Sequence, residues 1–493
     1  MEEARARAGE VGDIVELRLD CVEDSDLLTR LQSITGTQKG PFIITFRPSE
    51  QGGHRVLSRA QREAFWRGNW DSSRTALADI ESDLVCDPES PFFDGPFDWS
   101  RVIVSHHDFD SVPENLEEIY ERLAVTLAHV VKIAVQANDI TDCIRIFKLL
   151  DRARKEQRNL IAIAMGNAGV ATRILGPSRD SFLTYGSLDD ESATAPGQVT
   201  ARQLRSVYHI DDINNDTMIC GLIGLPVMHS VSPHMHNAAF SAEGVNGVYL
   251  PLEVRDVEAF IKRMVHPHTR ELDWNLRGLS VTAPHKSSVI ELLDWVEPDA
   301  REVGAVNTIV VQDYELHGYN TDVHGLIEPL RKRVGSLNGL AVAVIGAGGA
   351  ARAAVWALQR DQARVTLFAR APTKVRSVAQ FSDVPCEPLE AAVFRDFDVV
   401  INATPLGSGD YIEQTPAVAE QLAGARLVYD LVYNPTETEF LKQATKAGCE
   451  TLGGLEMLVA QARLQFELWT GKLPSSTLMY DAGLAALSVP LAR

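Results

Sequence analysis

No apolar run in the 493 residues approaches the roughly 18–20 that a membrane-spanning helix needs. The opening residues, MEEARARAGE, lack the apolar core of a secretory signal, and their acidic side chains do not suit a transit peptide. Basic charge is in deficit: 47 lysines and arginines against 67 aspartates and glutamates leave a net charge of −20. A surface of that sign repels phosphate, which argues against nucleic acid as a partner. Cysteines are few and scattered (Cys21, Cys86, Cys143, Cys220, Cys386, Cys449), with no CxxC pair. They read as buried thiols of a reducing compartment, not as a disulfide frame or a zinc site. No metal is therefore expected, and the cytoplasm is the expected location. Internal repeats and low-complexity segments are also missing. The composition that remains, 45% hydrophobic and 23% charged, is that of an ordinary globular chain. Its length exceeds what one core can organise and points to two to four domains.

The stretch LAVAVIGAGGAAR (340–352) reads as a buried strand, a glycine turn at Gly346, Gly348 and Gly349, and the start of an alanine-rich helix. Such a turn brings backbone close to a bound group, and the helix N-terminus offers free N–H donors that suit a pyrophosphate. The pattern alone is a weak signal, also met in ordinary glycine turns.

In the first half, β-type runs alternate with helical patterns at 13–20, 41–48, 77–86, 101–108, 129–135, 159–166 and 181–186. Residues 113–128 between the fourth and fifth runs read as an amphipathic helix. Alternating βα units imply a parallel sheet, and seven strands are one short of a (β/α)8 barrel. Several runs carry charge where a parallel strand should be apolar. Glu16 and Arg18 lie two apart and so project to one face. Arg47 ends the second run, His106 and His107 end the fourth, and Lys132 sits inside the fifth. Charge at the C-terminal end of barrel strands reads as catalytic. A lysine between Val131 and Ile133 would be desolvated and nucleophilic toward a carbonyl, with a nearby histidine to move protons.

The motifs ELRLD (16–20), TFRP (45–48), SHHDF (105–109), VVKIAV (130–135), MGNAGVATR (165–173) and TAPGQ (194–198) resemble the type I 3-dehydroquinate dehydratase family. The resemblance implies that Lys132 forms a Schiff base with the ketone of 3-dehydroquinate. It makes His107 the general acid and base, with His106 as the alternative, and gives 3-dehydroshikimate as product. Glu16, Arg18, Arg47, Arg173, Thr194 and Gln198 fall at its substrate positions. Thr194 stands where serine is usual, and Gln51 where an acidic residue often precedes the Gly-Gly pair. The chain also begins within the expected first barrel helix, so the first strand is expected to be missing.

The halves join near Asn214–Asp216 without a long linker. Beyond it, HSVSP (229–233) places Ser230 and Ser232 before a helix, where two hydroxyls can grip a carboxylate or simply cap the helix. LSVTAPHK (279–286) carries Lys286 into a loop, and Asn307 and Asp322 follow near strand ends. A lysine beside an aspartate suits proton delivery to a carbonyl oxygen. The strand 363–370 ends in Arg370, with Lys374 close behind, where an NAD site would carry Asp or Glu. A guanidinium there suits the 2′-phosphate of NADP.

The ordered motifs HSVSP, VTAPHK, AVNT, NTD, GAGGAAR, NATPLG and GGLEMLVAQ resemble shikimate dehydrogenase. By that resemblance Lys286 and Asp322 are the catalytic pair, and Ser230, Ser232, Thr282, Asn307, Tyr433 and Gln461 contact shikimate. Gly346, Ala347, Gly348, Gly349, Ala350, Arg370, Lys374, Asn402, Thr404 and Gly454 hold NADP(H). Ser280 and Ala369 each replace an asparagine common in the family.

Together the halves resemble the bifunctional dehydroquinate dehydratase–shikimate dehydrogenase family. The expected units are an α/β barrel over 1–212, a catalytic domain over 217–325 completed by 456–493, and a Rossmann NADP domain over 326–455. Small-molecule substrates are the expected partners. The missing strand leaves one rival, a dehydrogenase carrying an inactive barrel. A sensor of pathway intermediates is the other, disfavoured by the intact lysines.

Overall fold

The computed structural model describes residues 12–22, 41–69, 76–86, 98–189, 197–375 and 383–488. Among them lie three six-stranded sheets. The first holds β1 (Val15–Arg18), β2 (Phe42–Thr45), β3 (Ala76–Glu81), β4 (Val102–Asp108), β5 (Val130–Gln136) and β6 (Leu160–Met165), all parallel and in chain order. Its register decides which side chains face inward. Thr45 pairs with Asp79, Glu81 with Ser105, Ser105 with Lys132 and His107 with Ala134. Alternation then puts Ile43, Ile103, Val130, Ile161 and Ile163 on the same inner face, where they form an apolar floor beneath the charged residues. The outer residues, Val104, Val131 and Ile133 among them, pack beneath helices such as Leu116–Ala124 and Cys143–Lys155.

One expectation fails here. The run 181–186 is not a strand: Phe182 makes one ladder bond, to the Leu160 carbonyl, and Ser187 forms a single bridge with Thr200. Gly186 is pressed against Ala201, where an added Cβ would meet backbone at 2.7 Å. That contact turns the chain toward the helix Ala201–Ser206 instead of extending it along β6. Six strands, not seven, therefore make up the described part of this sheet.

The second sheet has the order β10-β12-β11-β9-β7-β8, from β7 (Met218–Gly224), β8 (Gly247–Glu253), β9 (Leu276–Val281), β10 (Trp295–Val296), β11 (Thr308–Gln312) and β12 (Glu315–Tyr319). The C-terminal helices Gly454–Thr470 and Ser476–Leu487 cover one face. Trp469 donates to the Ile309 carbonyl, and Met479 packs with Cys220, Leu222 and Tyr249. The third sheet is fully parallel, β15-β14-β13-β16-β17-β18, from β13 (Ala341–Ile345), β14 (Arg364–Ala369), β15 (Cys386–Pro388), β16 (Val399–Asn402), β17 (Leu427–Asp430) and β18 (Glu450–Leu452). Strand order reverses between β13 and β16, the place where such sheets open a crevice for ligands.

One apolar cluster runs from the first sheet into the second, from Leu17 to Leu316. Lys148 pairs with Glu271, and Asn167 donates to Glu253 across the same seam. Among the described residues no helix is long and apolar enough to cross a membrane.

Candidate active sites

At the C-terminal ends of β1 to β6, Glu16, Arg18, Arg47, His107, Lys132, Arg173, Tyr185 and Gln198 line one cavity. Each strand contributes the residues its alternation turns inward, so Lys132 and His107 meet although 25 positions of sequence part them. Lys132 is 4% exposed; its ammonium donates to Asp79 Oδ2 at 2.7 Å and sits 4.2 Å from the Tyr185 ring centre. Burial lowers its pKa, and the Asp79 carboxylate offsets only part of that shift. His107 is held well below its ordinary value by burial, then by the cations Arg47 and Lys132, so it stands neutral and ready to accept a proton. His106 registers with Ile133 on the outer face, and its charged neighbours are Asp108 and Arg122.

The rest of the cavity is set for an anion bearing hydroxyls. Arg47 and Arg173 are 5% and 2% exposed. Burial draws Arg173 down to about 10, and Arg47 binds Asp79 Oδ2 at 2.7 Å. Glu16 accepts from Thr45 at 2.6 Å, and Arg18 spans Asp20 and the Gly52 carbonyl. Gln51 bonds Asp83. Thr194 lies outside the described residues. Sequence reasoning missed Asp79, Glu81 and Tyr185. Asp79 and Glu81 repeat the two-residue spacing that singled out Glu16 and Arg18, so the signal for them was present in LADIESDLVC. Asp20, Cys21 and His54 bring ligand atoms within 4.8 Å of one another, but Asp20 is already held by Arg18 and the His54 N–H.

A second cleft, of about 510 Å³, lies between the second and third sheets. Lys286 donates to Asp322 Oδ2 at 2.6 Å. Lys286 sits in the turn after β9, and Asp322 in the first turn of the helix Thr321–Val334, whose N-terminus Asn320 caps. Ser230, Ser232, Thr282, Asn307, Tyr433, Gly454 and Gln461 line the same cleft. Ser230 accepts from the Ser232 N–H, fixing the helix Ser232–Ala242. Tyr433 is raised by burial, with Ser230 opposing. Ser280 and Gln465, absent from the expected set, are also in the wall.

The cofactor cavity, about 520 Å³, is walled by Gly346, Ala347, Gly348, Phe368, Arg370, Thr404, Leu406 and Tyr411. Gly346 has φ +125°, and a Cβ there would strike the Ala403 carbonyl oxygen at 2.8 Å; beside Gly348 the space is open. The helix Gly349–Arg360 starts at this opening, with Gly349 and Ala350 in its first turn. Arg370, exposed at the end of β14, lines this cavity, and a guanidinium suits a 2′-phosphate. These residues fit NADP(H). Asn402 does not line the cavity: it is fully buried, bonds Asp430 and the Leu406 carbonyl, and accepts from Thr404, so it sets the loop. The Lys374 side chain lies outside the described residues.

Fold and sites thus fit a lyase and a nicotinamide-nucleotide oxidoreductase carried on one chain. The type I 3-dehydroquinase model matches residues 1–215, the shikimate dehydrogenase substrate-binding domain 222–309, and the shikimate 5′-dehydrogenase C-terminal domain 454–482. The bifunctional 3-dehydroquinate dehydratase/shikimate dehydrogenase of Arabidopsis thaliana, named chloroplastic, is 33% identical over 96% of this chain and 80% of its own. The NADP(+) shikimate dehydrogenase of Caldanaerobacter subterraneus is 38% identical over 55% of this chain and 97% of its own. A solved shikimate dehydrogenase in complex with NADP+ aligns at TM-score 0.51 and 34% identity, covering 56% of this chain and 98% of that one. The Thermus thermophilus enzyme with NADP(H) and shikimate aligns at 0.50, also 34% identical, over 55% of this chain and all of its own. The chain belongs to the bifunctional 3-dehydroquinate dehydratase/shikimate dehydrogenase family. It is a lyase and an NADP-dependent oxidoreductase of the shikimate pathway.

Proposed function

We propose that the two cavities run consecutive reactions, with Lys132 and His107 in the first and Lys286 and Asp322 in the second. One observation carries this reading: two buried or half-buried lysines, each with a carboxylate partner, sit in separate cavities of one chain. In the first, the Lys132 amine adds to the ketone of 3-dehydroquinate and water leaves as the C=N bond forms. His107 takes the C2 proton while the iminium accepts the electron pair. The C1 hydroxyl then departs as water with the proton His107 returns, and hydrolysis frees Lys132 and 3-dehydroshikimate. Arg47 and Arg173 hold the carboxylate and hydroxyls, with Glu16, Arg18 and Gln198 around them.

In the second, NADPH held by the Gly346 turn and Arg370 would supply a hydride to the substrate carbonyl carbon. Lys286 delivers the proton to its oxygen, and Asp322 holds that ammonium in place. Ser230, Ser232 and Tyr433 bind the carboxylate; Thr282, Asn307 and Gln461 orient the ring. The net change is 3-dehydroshikimate + NADPH + H+ → shikimate + NADP+.

We assign the functional units to 1–212, 217–325 completed by 456–493, and 326–455, a division that the three sheets support and limited proteolysis tests. The six cysteines remain thiols, which supports a reducing compartment, the cytoplasm; fractionation with thiol labelling tests it. The central experiment is a coupled assay starting from 3-dehydroquinate and NADPH, with Lys132→Ala and Lys286→Ala alongside. NADPH consumption from 3-dehydroshikimate but not from 3-dehydroquinate would leave a dehydrogenase with an inactive barrel.

A further inference from the structure

In the wall of the second cleft, five polar side chains (Tyr249, Ser280, Gln465, Thr308 and Asn307) form a hydrogen-bonded row whose direction two backbone groups dictate. Gln465, 2% exposed, places Nε2 3.2 Å from the Asn307 carbonyl oxygen and 3.1 Å from Thr308 Oγ1. A carbonyl oxygen can only accept, so the NH2 end of the amide must face it and Oε1 must face the other way. Oε1 lies 2.7 Å from Ser280 Oγ, and an amide oxygen also can only accept. Ser280 therefore spends its one hydrogen on Gln465. The Tyr249 hydroxyl, 2.7 Å from Ser280 Oγ, must in turn be the donor in that pair. Ser280 keeps one lone pair and no hydrogen.

The second amide is fixed in the same way. The Thr321 N–H, which can only donate, points at Asn307 Oδ1 at 2.8 Å, and the Thr308 hydroxyl donates to that oxygen from 2.8 Å. Asn307 Nδ2 then faces Thr321 Oγ1 at 3.0 Å, which uses one of its two hydrogens. Both Ser280 and Asn307 line the cleft with Lys286 and Asp322.

We propose that Ser280, held as an obligate acceptor by Gln465 and Tyr249, is a specificity-determining residue that recognises one ring hydroxyl of the dehydrogenase substrate. Gln465 is its positioning residue. Asn307 presents the complementary donor, so this wall reads a hydroxylated ring and discriminates against a carbonyl or carboxylate at the Ser280 contact. The inference rests on the proposed dehydrogenase site and names the hydrogen-bond polarity by which that site reads its substrate.

A site built to bond a hydroxyl rejects the analogue lacking it far more strongly than an apolar wall does. Binding of shikimate and of analogues each lacking one ring hydroxyl is measured by calorimetry, and turnover with NADP+ in parallel. Wild type is expected to bind one analogue at least tenfold more weakly than shikimate. In Ser280→Ala that ratio collapses toward unity, and shikimate itself binds more weakly. Gln465→Met keeps the volume but releases the Ser280 hydrogen; its ratio falls likewise, with the change in KM and not kcat. The dehydratase rate of each variant, from the other cavity of the same chain, reports that the protein is folded. An unchanged ratio in Ser280→Ala, or a loss confined to kcat in Gln465→Met, overturns the proposal. A wild type that discriminates in binding but gives no turnover with NADP+ would instead count against the catalytic reading of Lys286 and Asp322.

Discussion

Lys132 donates to the same oxygen of Asp79 that accepts from Arg47, and both contacts are 2.7 Å. Burial would raise the Asp79 carboxyl, but the two cations override it and hold it well below the usual carboxylate range. One buried anion thus neutralises Arg47 and sets the basicity of the lysine. Asp79→Asn removes the charge that favours the ammonium, so the acid limb of the dehydratase pH profile should move to lower pH. Two buried cations lose their counter-charge, which costs about 3–5 kcal/mol of stability. Borohydride trapping of the substrate on Lys132 across pH, with a denaturant melt, checks both; an unmoved acid limb would remove Asp79 from the electrostatics of the lysine.

The adjacent histidines separate cleanly. His107 shares the inner face and the cavity with Lys132, whereas His106 registers with Ile133 on the outer face. His107→Ala should lose about 10²- to 10⁴-fold in dehydration, the usual contribution of a positioned acid–base group. It should still form the borohydride-trapped adduct, because imine formation needs the amine first. His106→Ala should stay within a few-fold of wild type. Equal losses in the two variants would contradict the assignment.

Much of this was legible from residue spacing alone. Charge at alternate positions in β1 and a lysine inside β5 point into one cavity because parallel strands alternate strictly. The Gly346 turn and Arg370 are equally local features. What spacing could not show is pairing at a distance. Asp79 is 53 positions from Lys132, and Gln465 is 185 from Ser280, on elements brought together only by the sheets. Asn402 shows the same limit: it sets the cofactor loop by accepting from the Thr404 N–H and by bonding Asp430, 28 positions away, a pairing that no local spacing displays. The run 181–186 has the composition of a strand, but a strand needs a ladder, and its chain turns toward Ala201 after one bond to β6.

Arg370 stands exposed at the end of β14, in one cavity wall with Gly346 and Gly348, and among the described residues that wall holds no acidic side chain to receive ribose hydroxyls. Arg370→Ala should raise KM for NADPH by about tenfold or more, the order expected for a lost charge-assisted contact. KM for NADH should change little, since that cofactor has no 2′-phosphate, and kcat should hold. The ratio of kcat/KM values for the two cofactors is the measurement. A parallel loss with both would place Arg370 in a structural role.

Glu81 carries a consequence for stability. It is fully buried, faces Arg62 at 3.4 Å, and burial pushes its carboxyl up to about 7, with Arg47 and Arg62 opposing. The folded state therefore holds this proton more tightly than the unfolded chain, whose carboxyl titrates near the ordinary 4.5. The stability it contributes is full below that value and is lost as pH rises to about 7, amounting to about 3 kcal/mol. Glu81→Gln imitates the neutral acid at every pH. Arg62 stays paired in that variant, because Asp83 binds it at 2.7 Å. Urea melts at pH 5 and pH 8 should show the wild-type first half losing stability over that range and the variant keeping more of it. At pH 8 the variant should be the more stable of the two; an equal decline in both would show that Glu81 is already ionised in the folded protein.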